Sequence, residues 1–231
     1  GGLNDAVNIH GTGIATAAEA QVVMNVSNGG LTTIDNVTDT AANAAGLFSG
    51  ANDTISQLQI IGTATVAQAG TWVGNSHVTN SSYDLNDTLA NEAAANPAIL
   101  NGATDITATG SGTAAQAQIV LNAFNSATTI AEVVDTSTAI LALVYSGNDQ
   151  ITLVTVTNAI TVATAEDIIN VPQILSEAYN LNDTLANEAA APLILNGATD
   201  ITATGVGDAA QAQIVMNATN GGNTVIAHVT D

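Results

Sequence analysis

The chain has 231 residues with no Lys or Arg and 20 Asp or Glu, so its formal net charge is −20. Nucleic-acid phosphates and anionic membrane surfaces are bound mainly through Lys and Arg, so this composition excludes both as partners. Cysteine is also absent, which excludes disulfides and thiolate metal sites.

Hydrophobic residues make up 46% of the chain and aromatic residues only 3%. We therefore expect a core of Ala, Val, Ile and Leu arranged in thin layers. No run of about 18 apolar residues is present to cross a bilayer as a helix. Membrane insertion is not expected.

A repeated spacing of aspartates organises the sequence. The stretch from Asp87 returns nearly letter for letter from Asp183, and further Asp-Thr pairs begin at Asp39 and Asp135. Together with Asp231, these aspartates are spaced by 48 residues, and the closest repetition has a period of 96. A fixed internal period indicates a repeat array rather than several independent domains.

Within each half-repeat, helix starts and strands alternate at roughly 24 residues. Helix starts are predicted by capping boxes, in which the first side chain accepts an amide hydrogen and a later Glu or Gln returns to the cap. Four stretches have this pattern: Thr16-Ala-Ala-Glu19, Thr65-Val-Ala-Gln68, Thr113-Ala-Ala-Gln116 and Asp208-Ala-Ala-Gln211. The recurrent Asp of the Asp-Thr pairs is interpreted as another helix N-cap.

The segment after Asp87 illustrates one unit. Residues 88–95 are rich in Ala and Leu and predict a short helix that Pro97 ends. Asn101-Gly102 is predicted to turn the chain, and residues 104–109 are predicted to form a strand. The next unit starts with the capping box Thr113-Ala-Ala-Gln116.

The strands have a pattern of their own, an Ile followed three residues later by Val. Ile34/Val37 and Ile130/Val133 show it, and the step of three predicts a local bulge or bend. About ten strands are predicted in an array of this kind. They lie around Val7, Thr33, Ser56, Tyr83, Ile106, Ile130, Thr152, Tyr179, Ile201 and Ile226.

Strands joined by helices at constant spacing become parallel neighbours with right-handed connections. The predicted fold is therefore an α/β solenoid of about ten helix–strand turns with one parallel sheet, forming a single elongated domain over residues 1–231. In the middle of the chain, the predicted core consists of Leu89, Ile99, Leu100, Ile106, Ile119, Val120, Leu121, Ile130 and Val133.

Carboxylates are the only candidates for a metal site. The recurrent Asp could be a calcium ligand instead of a cap, because calcium binds carboxylate and carbonyl oxygens. The stretches 49–53 (Ser-Gly-Ala-Asn-Asp) and 146–149 (Ser-Gly-Asn-Asp) resemble fragments of a Gly- and Asp-rich calcium repeat. Each occurs singly and also fits an ordinary turn. No cofactor is required, and calcium is the one ion left open.

No residue set typical of an enzyme is present. The carboxylate pairs Asp84/Asp87 and Glu166/Asp167 fit helix starts, a Gly-x-Ser-x-Gly elbow is missing, and a P-loop needs a Lys. The histidines are interpreted as solvated or packed side chains; they are His10, His77 and His228. We predict that the chain is not an enzyme and has no catalytic, cofactor-binding or metal residues.

Four aromatic side chains are predicted to pack in the core or at its edge, because they are too scattered for a sugar-binding platform. They are Trp72, Tyr83, Tyr145 and Tyr179. Threonine rows such as Thr107/Thr109 resemble a flat ice-binding face. These rows belong to alternate copies of the repeat, so they do not form a continuous surface.

Residues 37–43 (Val-Thr-Asp-Thr-Ala-Ala-Asn) and 151–156 (Ile-Thr-Leu-Val-Thr-Val) resemble repeats of very large secreted or surface proteins of bacteria, including cyanobacteria. Such repeats are often found near haemolysin-type calcium-binding segments. The resemblance covers nearly the whole chain and implies an extracellular or cell-surface location. Arrays of this type act mostly as spacers, adhesive stalks or matrix, and the calcium nonapeptide of that class is missing here.

Two functions follow as hypotheses. The preferred one is an extracellular structural protein that self-associates end to end into a fibre, sheath or surface layer, with copies of itself as partners. The alternative is an adhesin, or a carbohydrate- or ice-binding module, that uses one solenoid face. Outward positions differ between turns, as Asp105 and Thr107 against Glu132 and Val134 show, which favours the structural function.

Overall fold

The structure is a computed structural model and describes residues 2–47 and 49–230. Short helices alternate with parallel strands, which confirms the predicted α/β class. The strands are β1 (Ile9–Ala15), β2 (Thr32–Thr40), β3 (Asp53–Ala64), β4 (Val78–Thr88), β5 (Asp105–Gly112), β6 (Ala127–Asp135), β7 (Gln150–Val156), β8 (Glu177–Ala178), β9 (Leu181–Thr184), β10 (Ile201–Gly207) and β11 (Thr224–Val229). The α-helices are α1 (Ala17–Met24), α2 (Ala41–Ala44), α3 (Val66–Ala69), α4 (Leu89–Ala93), α5 (Pro97–Gly102), α6 (Ala114–Leu121), α7 (Ser137–Leu141), α8 (Val162–Ile169), α9 (Leu185–Ala190), α10 (Pro192–Gly197) and α11 (Ala209–Met216), and a 3-10 turn precedes them at Leu3–Asp5.

The sheet follows the order of the chain. Strands β1 to β8 form an eight-stranded sheet in sequence order, and β9, β10 and β11 form a three-stranded sheet. The structure thus divides the predicted single sheet in two. The division occurs because β7 ends at Val156, and beyond it only an isolated bridge between Ile160 and Leu181 continues the pairing.

The chain divides into two compact units. Unit 1 comprises Gly1–Thr109 and Asn122–Thr128, and unit 2 comprises Gly110–Leu121 and Thr129–Asp231. Unit 1 contains β1 to β4 and α1 to α5, whereas unit 2 contains β7 to β11 and α6 to α11. Each unit contains one copy of the Leu-Asn-Asp-Thr-Leu-Ala-Asn-Glu stretch.

Two kinds of strand alternate. The A strands (β1, β3, β5, β7 and β10) each lead to a helix start that lacks an Asp-Thr pair, and the B strands (β2, β4, β6, β9 and β11) each lead to one of the aspartates spaced by 48 residues. Four A strands contain a glycine with positive φ, a conformation that residues with a Cβ rarely adopt. They are Gly13, Gly62, Gly110 and Gly205, with φ from 70° to 88°.

The irregularity predicted for the strands occurs in two forms. In β2, the buried residues Ile34 and Val37 are three positions apart, and β2 stays in register with β3, so these strands bend together. A change of register occurs instead in the A strands, for example between Gly11 and Ile14 where β1 pairs with β2. The glycines therefore mark the β-bulges.

The predicted core is confirmed except at one position. Leu89, Ile106, Ile130 and the other predicted residues are buried, whereas Ile119 is 48% exposed. The residues of α6 that face the core are Ala114, Ala117, Val120 and Leu121. Ile119 lies on the opposite side of this helix because successive helical residues are about 100° apart.

The helix predicted over residues 88–95 is shorter than expected, and Pro97 has a different role. The helix is α4, which ends at Ala93, and Pro97 occupies the first turn of a second helix, α5. Proline is favoured there because its missing N–H has no helical partner in any case. The predicted turn at Asn101-Gly102 is the end of α5.

The predicted capping boxes are confirmed. The Thr16 hydroxyl accepts a hydrogen bond from the Glu19 amide at 3.3 Å, and the Thr16 amide donates to the Glu19 carboxylate at 2.8 Å. The same reciprocal bonds occur at the boxes that begin at Thr65, Thr113 and Asp208. Of the ten predicted strand positions, Val7 lies just before its strand and Tyr179 lies between β8 and β9.

Candidate functional site

The most regular polar feature is a carboxylate that joins neighbouring turns. The carboxylate of Asp39 accepts a hydrogen bond from the Ala17 amide at 2.9 Å, although 22 residues separate them. Ala17 is the first residue of α1, whose amide has no partner within the helix. A negative charge is favourable there because the helix dipole is positive at this end.

The same bond recurs in both units. The first helical amide of the preceding turn donates to the next turn's carboxylate in the pairs Val66–Asp87 at 3.0 Å, Ala114–Asp135 at 3.1 Å and Val162–Asp183 at 3.0 Å. We call Asp39, Asp87, Asp135 and Asp183 the staple aspartates. The fifth aspartate of this spacing, Asp231, lies outside the described residues.

The second oxygen of each staple aspartate is used locally. In Asp87, Oδ1 accepts the Thr88 amide at 2.8 Å and the Asn91 side-chain amide at 2.7 Å. Asp39 and Asp183 have the same two partners, with Asn43 and Asn187 as the amides. Both carboxylate oxygens of these three aspartates therefore accept hydrogen bonds from N–H donors.

The interpretation of these aspartates as N-caps is wrong by one residue. The N-cap of α4 is Thr88, whose hydroxyl accepts the Asn91 amide, and the N-cap of α2 is Thr40. Asp87 lies one residue earlier in the extended backbone of β4. From there its side chain reaches the adjacent turn, so the Asp-Thr pair caps two helices at once.

An asparagine has the equivalent role after one A strand. Oδ1 of Asn158 accepts the Ser137 amide at 2.8 Å, and Ser137 is the first residue of α7. The other A strands have a positive-φ glycine near this position, such as Gly62 and Gly110. After β7, the hydrogen bond from the first amide of α7 to Asn158 therefore takes the place of the bulge glycine.

Hydrogen bonding lowers the pKa of three staple aspartates. The Asn43 side chain, together with the amides of Ala17 and Thr40, lowers the pKa of Asp39. Burial would by itself raise the pKa of Asp87, but the bonds from its N–H donors outweigh burial and lower it. The pKa of Asp183 is lowered in the same way by its own N–H donors. These carboxylates favour the ionised form that accepts hydrogen bonds.

Each unit contains a buried glutamate whose carboxyl group accepts a hydrogen bond from the backbone amide of a staple aspartate. Oε1 of Glu92 accepts the Asp87 amide at 3.1 Å, and Oε1 of Glu188 accepts the Asp183 amide at 3.3 Å. Both side chains are fully buried, and Oε2 has no hydrogen-bond partner in either. Burial, reinforced by the adjacent Asp87 charge and partly opposed by the amide bond, raises the pKa of Glu92 to about 7.

The buried Glu92 has a counterpart of the same kind in the second long repeat, whereas the other half-repeats have an apolar residue at this position. Burial also raises the pKa of Glu188 to about 7, with Asp183 as the neighbouring charge. The corresponding positions of the other half-repeats hold Ala44 and Ile140, both buried. A carboxyl therefore replaces an apolar side chain in the core of one turn per 96 residues.

In the other two calcium candidates, an aspartate accepts a backbone amide hydrogen bond within a turn. Asp53 accepts the Gly50 amide at 2.5 Å, and Asp149 accepts the Ser146 amide at 2.6 Å. Within residues 2–47 and 49–230, no group of three or more His, Asp or Glu side chains is placed to hold a metal ion. Glu166 and Asp167 are exposed on α8.

The histidines make separate contacts. His10 Nε2 lies 2.7 Å from a carboxylate oxygen of Asp35 at an exposed position. His77 Nδ1 lies 2.7 Å from the carbonyl oxygen of Asp53. His228 is exposed near the end of β11. The structure brings none of these side chains together within either unit.

The aromatic residues pack in the core, as predicted. Trp72 and Tyr83 are buried and make an edge-to-face contact with ring centroids 5.8 Å apart. The Tyr83 hydroxyl donates to the carbonyl of Ile99 at 2.7 Å. A Cβ on Gly102 would lie 2.8 Å from this hydroxyl, which explains the glycine of the Asn-Gly pair. Tyr179 repeats the arrangement with Ile194.

No described helix is both long and apolar enough to cross a membrane. Comparison with known proteins found no matching family model, no matching curated protein and no matching solved structure.

We expect Asp87→Ala to destabilise unit 1, because the amides of Val66 and Thr88 and the side-chain amide of Asn91 all lose the carboxylate that accepts their hydrogen bonds. Loss of a helix-terminal acceptor costs about 1–2 kcal/mol. Denaturant unfolding would measure this difference in the free energy of unfolding.

The matched control is Asp84→Ala, which removes an equal charge from the same strand but no staple. We expect a change within about 0.5 kcal/mol. Equal losses in Asp84→Ala and Asp87→Ala would show that the staple contributes no specific stability.

The buried glutamates generate an expectation for pH dependence. Their ordinary pKa is 4.5 and their folded pKa is about 7. Below pH 4.5 both states bind the proton, and between these values the unfolded chain releases it first. The free energy of unfolding should therefore fall as pH rises from 4.5 through about 7.

The control for this expectation is the double variant Glu92→Gln and Glu188→Gln, measured by denaturant unfolding at each pH. All other titratable groups are the same in both chains, so the difference between them isolates these two carboxyls. Parallel pH profiles for the two chains would contradict the expectation. Asp39, Asp87 and Asp183 act in a separate window, because their lowered pKa causes loss of stability only as pH falls below 3.8.

Proposed function

We propose that the chain is an extracellular structural repeat protein whose turns stack as an α/β solenoid and whose copies associate end to end into a fibre, sheath or surface layer. The stacked turn would itself be the functional unit, since each turn is too thin to bury its own core.

One observation carries this proposal: α11 and β11 expose apolar side chains whose counterparts in earlier turns are buried. Met216 is 65% exposed, whereas Met24, its counterpart two long repeats earlier, is 6% exposed. Val229 is 44% exposed, whereas Val37 and Val133 are fully buried at the same position. Burying such side chains is favourable by about 25 cal/mol per Å², so this surface is suited to a further turn.

The strand edges support the same proposal. Among the described residues, β1 pairs only with β2, and β11 pairs only with β10. Each therefore leaves one edge of backbone N–H and C=O groups without a neighbouring strand. Such edges are templates for pairing with another chain. Two different edges that meet head to tail form a heterologous contact, which extends into a filament when the rotation does not close.

The charge of the chain sets the conditions for assembly. With a formal charge of −20 and no Lys or Arg, copies repel one another unless salt or cations screen the carboxylates. The staple aspartates are already paired with N–H donors within each copy. We therefore propose assembly in a saline extracellular setting, in keeping with the resemblance to secreted and surface repeat proteins.

The experiment compares two single substitutions in β11 by sedimentation velocity and electron microscopy at high salt. The wild-type chain should form concentration-dependent assemblies. Val229→Asp should remain monomeric, because it places a charge at the position that inner turns bury. Val225→Asp, with the same charge on the same strand, should still assemble, because its counterpart in β2 is the half-buried Thr33.

Far-ultraviolet circular dichroism of both variants would check that each retains the wild-type fold. Stable wild-type monomers of 22.9 kDa at high protein concentration and high salt would overturn the proposed function. Equal assembly of Val229→Asp and wild type would show that the exposed end of β11 is not the contact.

A further inference from the structure

We propose that β11 of one copy pairs in parallel with β1 of a second copy, in the register that places Val229 opposite Ile9. This inference rests on the proposed function and specifies its contact.

The register comes from four observed junctions at which a B strand is followed by an A strand. In each, the residue two positions before the staple aspartate is opposite the residue seven positions before the next helix cap. These pairs are Val37–Leu58, Leu85–Ile106, Val133–Val154 and Leu181–Ile201. All eight side chains are buried. The register is thus the same in both units, although the individual side chains differ.

The free edges are the two halves of a fifth such junction. Val229 lies two positions before Asp231, and Ile9 lies seven positions before the helix cap Thr16. β11 is a B strand without a following A strand, and β1 is an A strand without a preceding B strand among the described residues. Head-to-tail contact therefore preserves the alternation of A and B strands.

The first and last strand pairs confirm that these strands have the required geometry. Ile9 is opposite Thr32 and Ala15 is opposite Val37 where β1 pairs with β2. The pairs Ile201–Thr224 and Gly207–Val229, two long repeats later in sequence, have the same register and the same shift at the bulge. β1 is therefore shaped like the inner A strand β10, and β11 is shaped like the inner B strand β2.

The surfaces beside the edges are apolar on both sides. Near β11, Met216 at the end of α11 is exposed, and Val229 is partly exposed. Before β1, Leu3 and Val7 are exposed. The counterpart Met24 in α1, which is followed by another turn of the chain, is buried. A second copy of this chain would provide both an A strand in register and an apolar segment ahead of it.

The absence of cysteine from the chain makes disulfide trapping specific. We would mix the variant Val229→Cys with an isotopically labelled Ile9→Cys variant at high salt and oxidise the mixture. Residues directly opposite in adjacent parallel strands lie about 4.8 Å apart, within the range that a disulfide spans. We expect a mixed dimer, which mass spectrometry identifies by its single labelled chain.

The register control replaces Ile9→Cys by Gly11→Cys, on the same strand two residues further along. Its distance from Val229 would be about 8 Å, which is beyond disulfide reach. The mixed dimer should be lost in this pairing. A second in-register pair, Thr230→Cys with His10→Cys, uses exposed positions and keeps the test independent of core substitutions. Its precedents are Thr38–Gln59 and Asn182–Thr202.

The outcomes separate the two proposals. If the wild-type chain never assembles, the proposed function fails. If it assembles but neither in-register pair forms a mixed dimer, or if Gly11→Cys is trapped as readily as Ile9→Cys, the register fails while self-association stands. Disulfides within the Val229→Cys preparation alone would indicate contact between two β11 edges, which also contradicts the register.

Discussion

The structure depends on a hydrogen bond between a carboxylate at the end of one strand and the first amide of the helix in the preceding turn. Helix ends leave amides without partners, and a short helix has proportionately many of them. Helices such as α2 and α3 have only four residues and would be marginal alone. A shared aspartate satisfies an amide in one turn while it holds the Thr cap of the next, so helix formation and stacking depend on each other.

The same arrangement stabilises four of the 20 acidic side chains without Lys or Arg. The staple aspartates accept hydrogen bonds from backbone amides, and a helix N-terminus provides a partial positive charge beside each of them. The buried Glu92 and Glu188 lack such compensation at one oxygen. They make the stability of each unit sensitive to pH in a range where Asp39, Asp87 and Asp183, whose pKa is lowered, stay ionised.

Much of this fold was predictable from periodic residues. The capping boxes predicted helix starts, and the aspartate spacing predicted parallel strands in chain order, because both depend on local patterns. The role of Asp87 was mistaken, since a sequence pattern shows that an aspartate precedes a helix but not that its side chain reaches Val66. The alternative role could have been suspected from the recurrent 21 or 22 residues between each Asp and an earlier helix start.

The buried glutamates and the division of the sheet were not predicted. Alignment of the half-repeats places Glu92 with Ala44 and Ile140, and that mismatch indicates a carboxyl at a core position. Helical phase accounts for Ile119, which an apolar composition alone assigned to the core. The end of β7 and the shift to an Asn158 staple depend on the tertiary contact with Ser137, which periodicity does not describe.

Amide hydrogen exchange by NMR at mildly acidic pH tests the stapled stack most directly. The first helical amides, those of Ala17, Val66, Ala114 and Val162, have no intrahelical acceptor and would exchange rapidly in isolated helices. If the aspartates of the next turn bind them, all four should be protected to a similar degree as the strand amides of their own unit. Exchange of these four amides at the rate of an unstructured peptide would contradict the account.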